Sequence, residues 1–359
     1  MHIGLLRRSA LGDVILWSAL VEQCLRRYPD VSITWMIDPA FITLFETLPR
    51  LQWCSLPKPN SWRSYRTCIK TLRKHHFDTL LCAQASLRSN LLYPFCSATR
   101  KIGFDPMRGR DGHGLTVNER IPYRDNHLIE GFAQFFEQAG YPLDLNDLHW
   151  PIASDARALP KENVPSKQSV GLVVSASKIE RTWPLSHQTE FVIQLLQAPS
   201  FSGCITLLGG NTTLEKAIAQ SIVADCSQQL PAATLERLHN RVGKTSLQTL
   251  PTELERLDCV VAPDTGPAHL AHALNIPVIG LYAVARSALS GPYTSRLTID
   301  VYAQAAQQLL GRSISQLGWH ERIHHAKAMG LITPDQVLTQ TLHILQNRHS
   351  NPALSDHSD

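Results

Sequence analysis

Short apolar runs of five or six residues alternate along the chain with longer segments whose apolar positions recur every three or four residues. In the first half HIGLLRR, VSITWMI, LQWCSL, FDTLLCAQ and RKIGF have strand character. VILWSALVEQCLRRY and the stretches 62–76, 86–96 and 127–139 carry a helical period, with a short helix near 41–47. After a polar stretch, ASDARALPKENVPSKQ, the alternation resumes with SVGLVV, GCITLLG, DCVVAP and PVIGLY, separated by helical segments such as TLEKAIAQSIVADC and TGPAHLAHAL. Alternating strands and helices imply parallel sheets with crossover helices, and two such series imply two Rossmann-like domains. The expected division is an N-terminal domain at 1–152, a linker at 153–168 and a C-terminal domain at 169–332. A final helix at 333–348, expected to pack back on the N-terminal domain, and a flexible tail at 349–359 complete the chain.

Length agrees with this division, because 359 residues exceed what a single hydrophobic core usually organises. An apolar fraction of 43% and a charged fraction of 18% exclude global disorder. A net charge of +4 is too small for a nucleic-acid binder, though a local basic patch can still face an acidic substrate. No signal peptide is evident and no segment reaches the roughly 20 apolar residues that span a bilayer, so a cytoplasmic protein is expected. The eight cysteines form no CxxC pair, which suits a reduced compartment. Cys54, Cys68, Cys82 and Cys96 are evenly spaced, but their neighbours share nothing, and the spacing reads as coincidence.

In open parallel sheets ligands bind beyond the carboxyl ends of the strands, so the strand-to-helix loops are where chemistry is expected. The first, Ser9-Ala10-Leu11-Gly12-Asp13, sets Asp13 at a helix N-terminus. There it is a cap, a general base, or both, since the helix dipole favours the charged carboxylate. The loop around Asp264, Thr265, Gly266, Pro267 and His269 follows a strand and opens a helix, a natural anion site at which Gly266 allows close approach. Asp264 is expected to cap that helix or to accept from sugar hydroxyls, and His269 is either a ligand contact or a core histidine. The loop from Ser175 to Pro184 carries Lys178 and Arg181, either solvated or placed to offset charge on a phosphate leaving group. Arg63, Arg66, Lys70 and Arg73 recur at spacings of three or four and share one helix face, with Arg108 and Arg110 in the long loop at 105–125 able to extend the patch. Such a face is a solvated surface or a site for acidic groups. No DxD pair is present to hold a divalent metal on a nucleotide diphosphate. His320-Glu321-Arg322-Ile323-His324 matches the HExxH pattern of zinc proteases. It has no later glutamate for a third ligand, and 16 histidines make a chance match the simpler reading.

SALGD, KIERTWP and PDTGPAHLAHAL, in this order and spacing, resemble the lipopolysaccharide heptosyltransferases, glycosyltransferase family nine, over most of the chain. IGFD and the 127–139 helix are similar to the family's acceptor domain. The stretch GWHERIHHAKAMGLI resembles the heptosyltransferase I type. The resemblance implies an α/β fold of GT-B type, two facing Rossmann-like domains with a cleft between them. It also implies inverting transfer of heptose from ADP-heptose to the Kdo region of lipid A; no cofactor is expected, and the missing DxD pair makes a metal-independent site the expectation. The acceptor would place the protein in the cytoplasm or peripherally on the inner face of the inner membrane. Under it Asp13 is the general base. Asp264, Thr265, Gly266 and His269 map onto the donor-binding loop, and Ser175, Lys178 and Arg181 are expected to serve the donor with them. The basic residues Arg63, Arg66, Lys70, Arg108 and Arg110, read from their spacing and charge, are expected to hold the acceptor. Family members usually carry Lys where this chain has Arg181, which leaves the phosphate role open between Lys178 and Arg181. The alternatives are a nucleotide-sugar epimerase and a non-catalytic nucleotide-sugar-binding protein.

Overall fold

The computed structural model describes residues 1–154 and 168–350. Two compact units divide the chain, Met1–Ala153 and Ser154–Asp359. The expected linker, apart from its ends, and nearly all of the expected tail lie outside the described residues.

The first unit runs β1 (His2–Leu6), α1 (Leu11–Arg27), β2 (Ser32–Ile37), α2 (Pro39–Ile42), β3 (Leu51–Ser55), α3 (Trp62–Leu72) and β4 (His76–Leu81). It continues with α4 (Leu87–Asn90), β5 (Ser97–Gly103), β6 (Glu119–Arg120) and α5 (Leu128–Ala139). Its sheet is parallel with order β3-β2-β1-β4-β5-β6. The chain winds outward from β1 in one direction and then returns to lay β4 on its other side, so β1 and β4 flank the point where the winding reverses. Trp17 of α1 stacks on Phe132 of α5 at 5.2 Å over one face. On the other face Cys68 and Leu72 of α3 are buried in one cluster with Phe77, Leu80 and Tyr93. Cys54, Cys68, Cys82 and Cys96 all lie in this second layer. Cys54 lies in β3, Cys68 in α3, Cys82 just past β4 and Cys96 just before β5, so they share a buried layer without sharing a position in a repeated unit. Burial there pushes the Cys96 thiol up to about 12.

The continuous helix expected at 86–96 is broken. Pro94 lies in a separate 3-10 turn, Tyr93–Phe95, after the four residues of α4, because proline has no N–H to continue an α-helical ladder. The 105–125 loop holds a 3-10 turn, His113–Leu115, and the two-residue β6. His113 fastens this loop. Its Nε2 accepts from the Phe104 N–H at 3.1 Å and its Nδ1 lies 2.9 Å from Asn90 Oδ1. Burial holds its pKa down at about 4.

The second unit runs β7 (Ser169–Val173), α6 (Leu185–Gln197), β8 (Cys204–Leu208), α7 (Thr213–Gln229), α8 (Ala232–Leu235), β9 (Leu238–Asn240), α9 (Leu250–Glu255) and β10 (Cys259–Pro263). There follow α10 (Gly266–Ala273), β11 (Val278–Tyr282), α11 (Ser287–Ser290), β12 (Thr298–Asp300), α12 (Tyr302–Leu310) and α13 (Pro334–Ser350). The parallel order β12-β11-β10-β7-β8-β9 again reverses between two central strands, β7 and β10. The C-terminal helix, expected against the N-terminal domain, buries Val337, Ile344 and Leu345 in the core of the second unit, beside Phe191 and Trp183.

Candidate active site

Both reversal points place their strand-to-helix loops side by side; Asp13 lies at the first and Ser175, Lys178, Arg181, Asp264, Thr265 and Gly266 at the second, while the basic candidates of α3 and of the 105–125 loop lie away from them. In the first unit the sheet ends β1 at Leu6 and the next two residues are arginines. The Arg7 guanidinium passes 5.3 Å from the Phe132 ring, donates Nη1–H to the Ala83 carbonyl beyond β4 at 2.6 Å, and pairs through Nη2 with Asp13 Oδ2. The core stack of Trp17 on Phe132 therefore positions the cation that orients the carboxylate. Asp13 occupies the third position of α1, and its Oδ2 also accepts from the Ala10 N–H at 3.2 Å. Cap and oriented carboxylate coexist in one residue. Both contacts fall on Oδ2, and Oδ1 makes no hydrogen bond among the described residues. Arg7 was not singled out in the sequence; its signal was a double arginine at a strand end, absorbed into the strand pattern.

Arg8 was missed for the same reason. It is only 3% exposed, and its Nη2 donates to Ser89 Oγ at 3.1 Å. Its Nε and Nη1 have no partner among the described residues, and burial lowers its pKa.

In the second unit Arg181 bridges the loops after β7 and β10. Its Nη1 lies 2.8 Å from Asp264 Oδ2 and its Nη2 donates to Ser177 Oγ at 2.6 Å. Both members of the pair are largely buried. Asp264 is thus an ion-pair partner and not the helix cap that was one expectation. Thr265 takes the cap position of α10, but its hydroxyl donates to the Pro263 carbonyl at 3.1 Å and leaves the first-turn amides uncapped by that side chain. Amides at that position lack intrahelical acceptors, so those of Gly266 and Ala268 mark a positive helix end. His269 is buried one turn inside. Its neighbour His272 is pushed by burial down to about 4 and is neutral near pH 7. Ser175 is buried with its hydroxyl donated to the Ala176 carbonyl at 3.0 Å, and Lys178 is exposed.

Arg63, Arg66 and Lys70 are exposed on α3, while Arg73, expected on the same helix, lies just past its end. A groove of about 370 Å³ runs along it, lined by Trp62, Arg66, Ile69, Lys70, Arg73 and Phe95. Arg108 does not extend this face. It pairs with buried Asp105, donates to Gln134 Oε1 at 3.1 Å and lies against the rings of Phe104 and Tyr123. Arg110 is exposed.

The HExxH stretch is not helical, so its histidines do not share a face as a zinc site requires. Glu321 pairs with Arg312 at 2.6 Å and His324 Nδ1 lies 3.0 Å from Glu180. Among the described residues no group of three histidine, cysteine or acidic side chains is arranged to hold a metal ion. No described helix is long and apolar enough to cross a membrane.

Two parallel, doubly wound units with site loops at their reversal points define the architecture of a GT-B glycosyltransferase. The family comparison makes this specific: residues 65–316 match glycosyltransferase family 9 (heptosyltransferase), and the chain belongs to that family. It is a glycosyltransferase, and the epimerase alternative falls away. The chain is 29% identical over 340 residues to the lipopolysaccharide core heptosyltransferase OpsX of Haemophilus influenzae, covering 94% of each sequence. It is 24% identical to lipopolysaccharide heptosyltransferase 1 of Pseudomonas aeruginosa, over 82% of this chain and 81% of that one. In fold it is similar to the E. coli heptosyltransferase WaaC solved with ADP, at a TM-score of 0.71 and 17% identity, over 96% of this chain and 100% of that one.

Proposed function

We propose that the protein is a heptosyltransferase of lipopolysaccharide core assembly that moves heptose from ADP-heptose to the Kdo region of lipid A with inversion. The observation that carries this reading is Asp13: a carboxylate fixed by Arg7 and the Ala10 amide through one oxygen, with the other open to take a proton. The relatives' names supply the donor and core-assembly context. The acidic acceptor accords with the exposed arginines of α3.

In the proposed reaction Asp13 Oδ1 accepts the acceptor hydroxyl's proton as that oxygen bonds to the anomeric carbon. The bond from that carbon to the diphosphate oxygen breaks on the opposite side, and its electron pair leaves with ADP. Arg181 and the first-turn amides of α10 offset the charge developing on the diphosphate, the role a preorganised cation and helix end perform best. Asp264 keeps Arg181 aimed, and Gly266 leaves room for a phosphate. Arg63, Arg66 and Lys70, with Arg110 as a further contact, hold the acceptor's acidic groups. Because this scheme neutralises the diphosphate with protein groups, it needs no metal.

The test is to combine purified protein, ADP-heptose and Kdo-lipid A with excess EDTA and to follow both products by mass spectrometry. The reading expects one heptose added per acceptor and one ADP released, at the rate seen without EDTA. Absence of heptosylated product with this acceptor, alongside transfer to a different core acceptor, would reassign the step. Loss of activity in EDTA, restored by a divalent metal, would overturn the metal-free scheme.

A further inference from the structure

We propose that α3, the 87–95 segment and the 107–115 loop of the first unit form a docking surface for an anionic lipid bilayer. Six large apolar side chains among the described residues are more than half exposed, and five of them stand on these three segments. Trp62 is 72% exposed, Met107 75% and Leu115 93%, with Leu87 and Leu91 the other two. Exposed apolar groups scattered singly are ordinary, whereas a cluster marks an interaction surface.

The three segments are contiguous. Phe95 faces α3 across the groove that begins at Trp62, and its ring lies 5.3 Å from the Arg73 guanidinium. The Leu87 N–H donates to Asp111 Oδ2 at 3.0 Å, and Asn90 Nδ2 donates to the carbonyls of Arg110 and Asp111 at 2.8 and 2.9 Å. His113 completes the attachment of the loop to Asn90.

Charge selects the partner. Residues 56–96 hold seven lysines and arginines against one aspartate, leaving 27 basic and 29 acidic residues in the rest of the chain. That aspartate, Asp78, accepts from the His2 N–H at 2.7 Å. Cations beside apolar tips are what a negatively charged leaflet attracts, the cations settling among headgroups and the tips entering below them. The tips are carried by a helix start, a short turn and a loop that are joined to one another, with arginines among them. A protein partner would need a flat complementary face, whereas a fluid bilayer accommodates separate protrusions, and tryptophan favours its interface. The docking would serve the proposed function by bringing the site to a lipid-linked acceptor.

Flotation of the intact protein with vesicles carrying neither donor nor acceptor tests the surface independently of the transfer reaction. The probes are phosphatidylcholine vesicles with and without phosphatidylglycerol, and the comparison is wild type against the Met107→Asp, Leu115→Asp double variant. The wild type is expected to partition at least tenfold more strongly onto the anionic vesicles. The double variant, with an unchanged melting temperature, is expected to lose at least tenfold of that partitioning. Equal partitioning of the wild type onto both vesicles, or undiminished binding by the variant, would overturn the proposal. So would light scattering that shows a wild-type dimer, dispersed by the variant, with no vesicle binding, since the surface would then belong to a second copy. Transfer to a water-soluble acceptor fragment reports separately on the proposed function and can succeed where the docking fails.

Discussion

The two units share a winding and place their candidate loops at the same topological point, yet they arrange charge in opposite ways. In the second unit the cation of the site, Arg181, is buried and locked to Asp264. In the first unit the cations of α3 are exposed and have no acidic partner among the described residues, and the buried Arg7 serves the carboxylate instead. A locked guanidinium suits a group of fixed geometry such as a diphosphate, because its orientation is set before binding. Loose surface cations suit a variable acidic acceptor, at the cost of sensitivity to salt.

This contrast is broken most severely at Asp13. Asp13→Asn keeps the shape but removes the proposed base, and kcat is expected to fall by about 10³-fold, the scale of general-base loss. Steady-state rates at saturating donor and acceptor check it, and a fall of less than tenfold would remove Asp13 from proton transfer. Next comes Arg181→Ala, expected to weaken donor binding by roughly 10- to 100-fold, since a charge-assisted contact is lost and buried Asp264 is left unpaired. Its acceptor KM should hardly change; a selective rise in that constant would reverse the assignment of the two units.

Acid probes the loop that carries Arg110 and Leu115. The pKa of His113 is depressed from its ordinary 6.5 to about 4 in the fold. Between those values the unfolded chain binds a proton that the folded chain refuses, so stability is present above pH 6.5 and is lost as pH falls toward 4. At pH 5 the loss is about 2 kcal/mol from this histidine, by linkage. Urea midpoints at pH 7.5 and 5 for wild type and His113→Gln measure it, and an equal acid loss in both proteins would exonerate His113.

A smaller effect is expected for Arg63→Ala with Arg66→Ala. Exposed charges are individually weak, so the acceptor KM should rise by about three- to tenfold at low salt and by less at high salt. A solvated helix face predicts no change at either salt concentration. Smallest of all is Arg8→Met. A buried guanidinium with unsatisfied donors is a net cost that an apolar side chain of similar length avoids, so the melting temperature should hold or rise. A clear drop would mean that Arg8 has a partner in solution.

Much of this was legible in the pattern of apolar runs. Strands such as HIGLL and VVAP and helices such as that at 128–139 carry strong periods, and hydrophobic periodicity is largely a local property. The edge strands β6, β9 and β12 were not singled out, because two or three residues with one exposed face leave no apolar run. Pairing is what stayed hidden. Asp264 and Arg181 are 83 residues apart, and nothing local distinguishes an aspartate that caps a helix from one that meets an arginine of the loop after the neighbouring strand. Likewise Arg108 and Arg110 look equivalent in the sequence, while buried Asp105 captures the first and leaves the second exposed.

The division of labour between the units is tested most directly by calorimetric titration of ADP-heptose into Asp13→Asn and Arg181→Ala. The account predicts wild-type donor affinity, within about twofold, for Asp13→Asn, because that carboxylate acts on the acceptor, and at least roughly tenfold weaker binding for Arg181→Ala. Weakened binding by Asp13→Asn together with unimpaired binding by Arg181→Ala would contradict it.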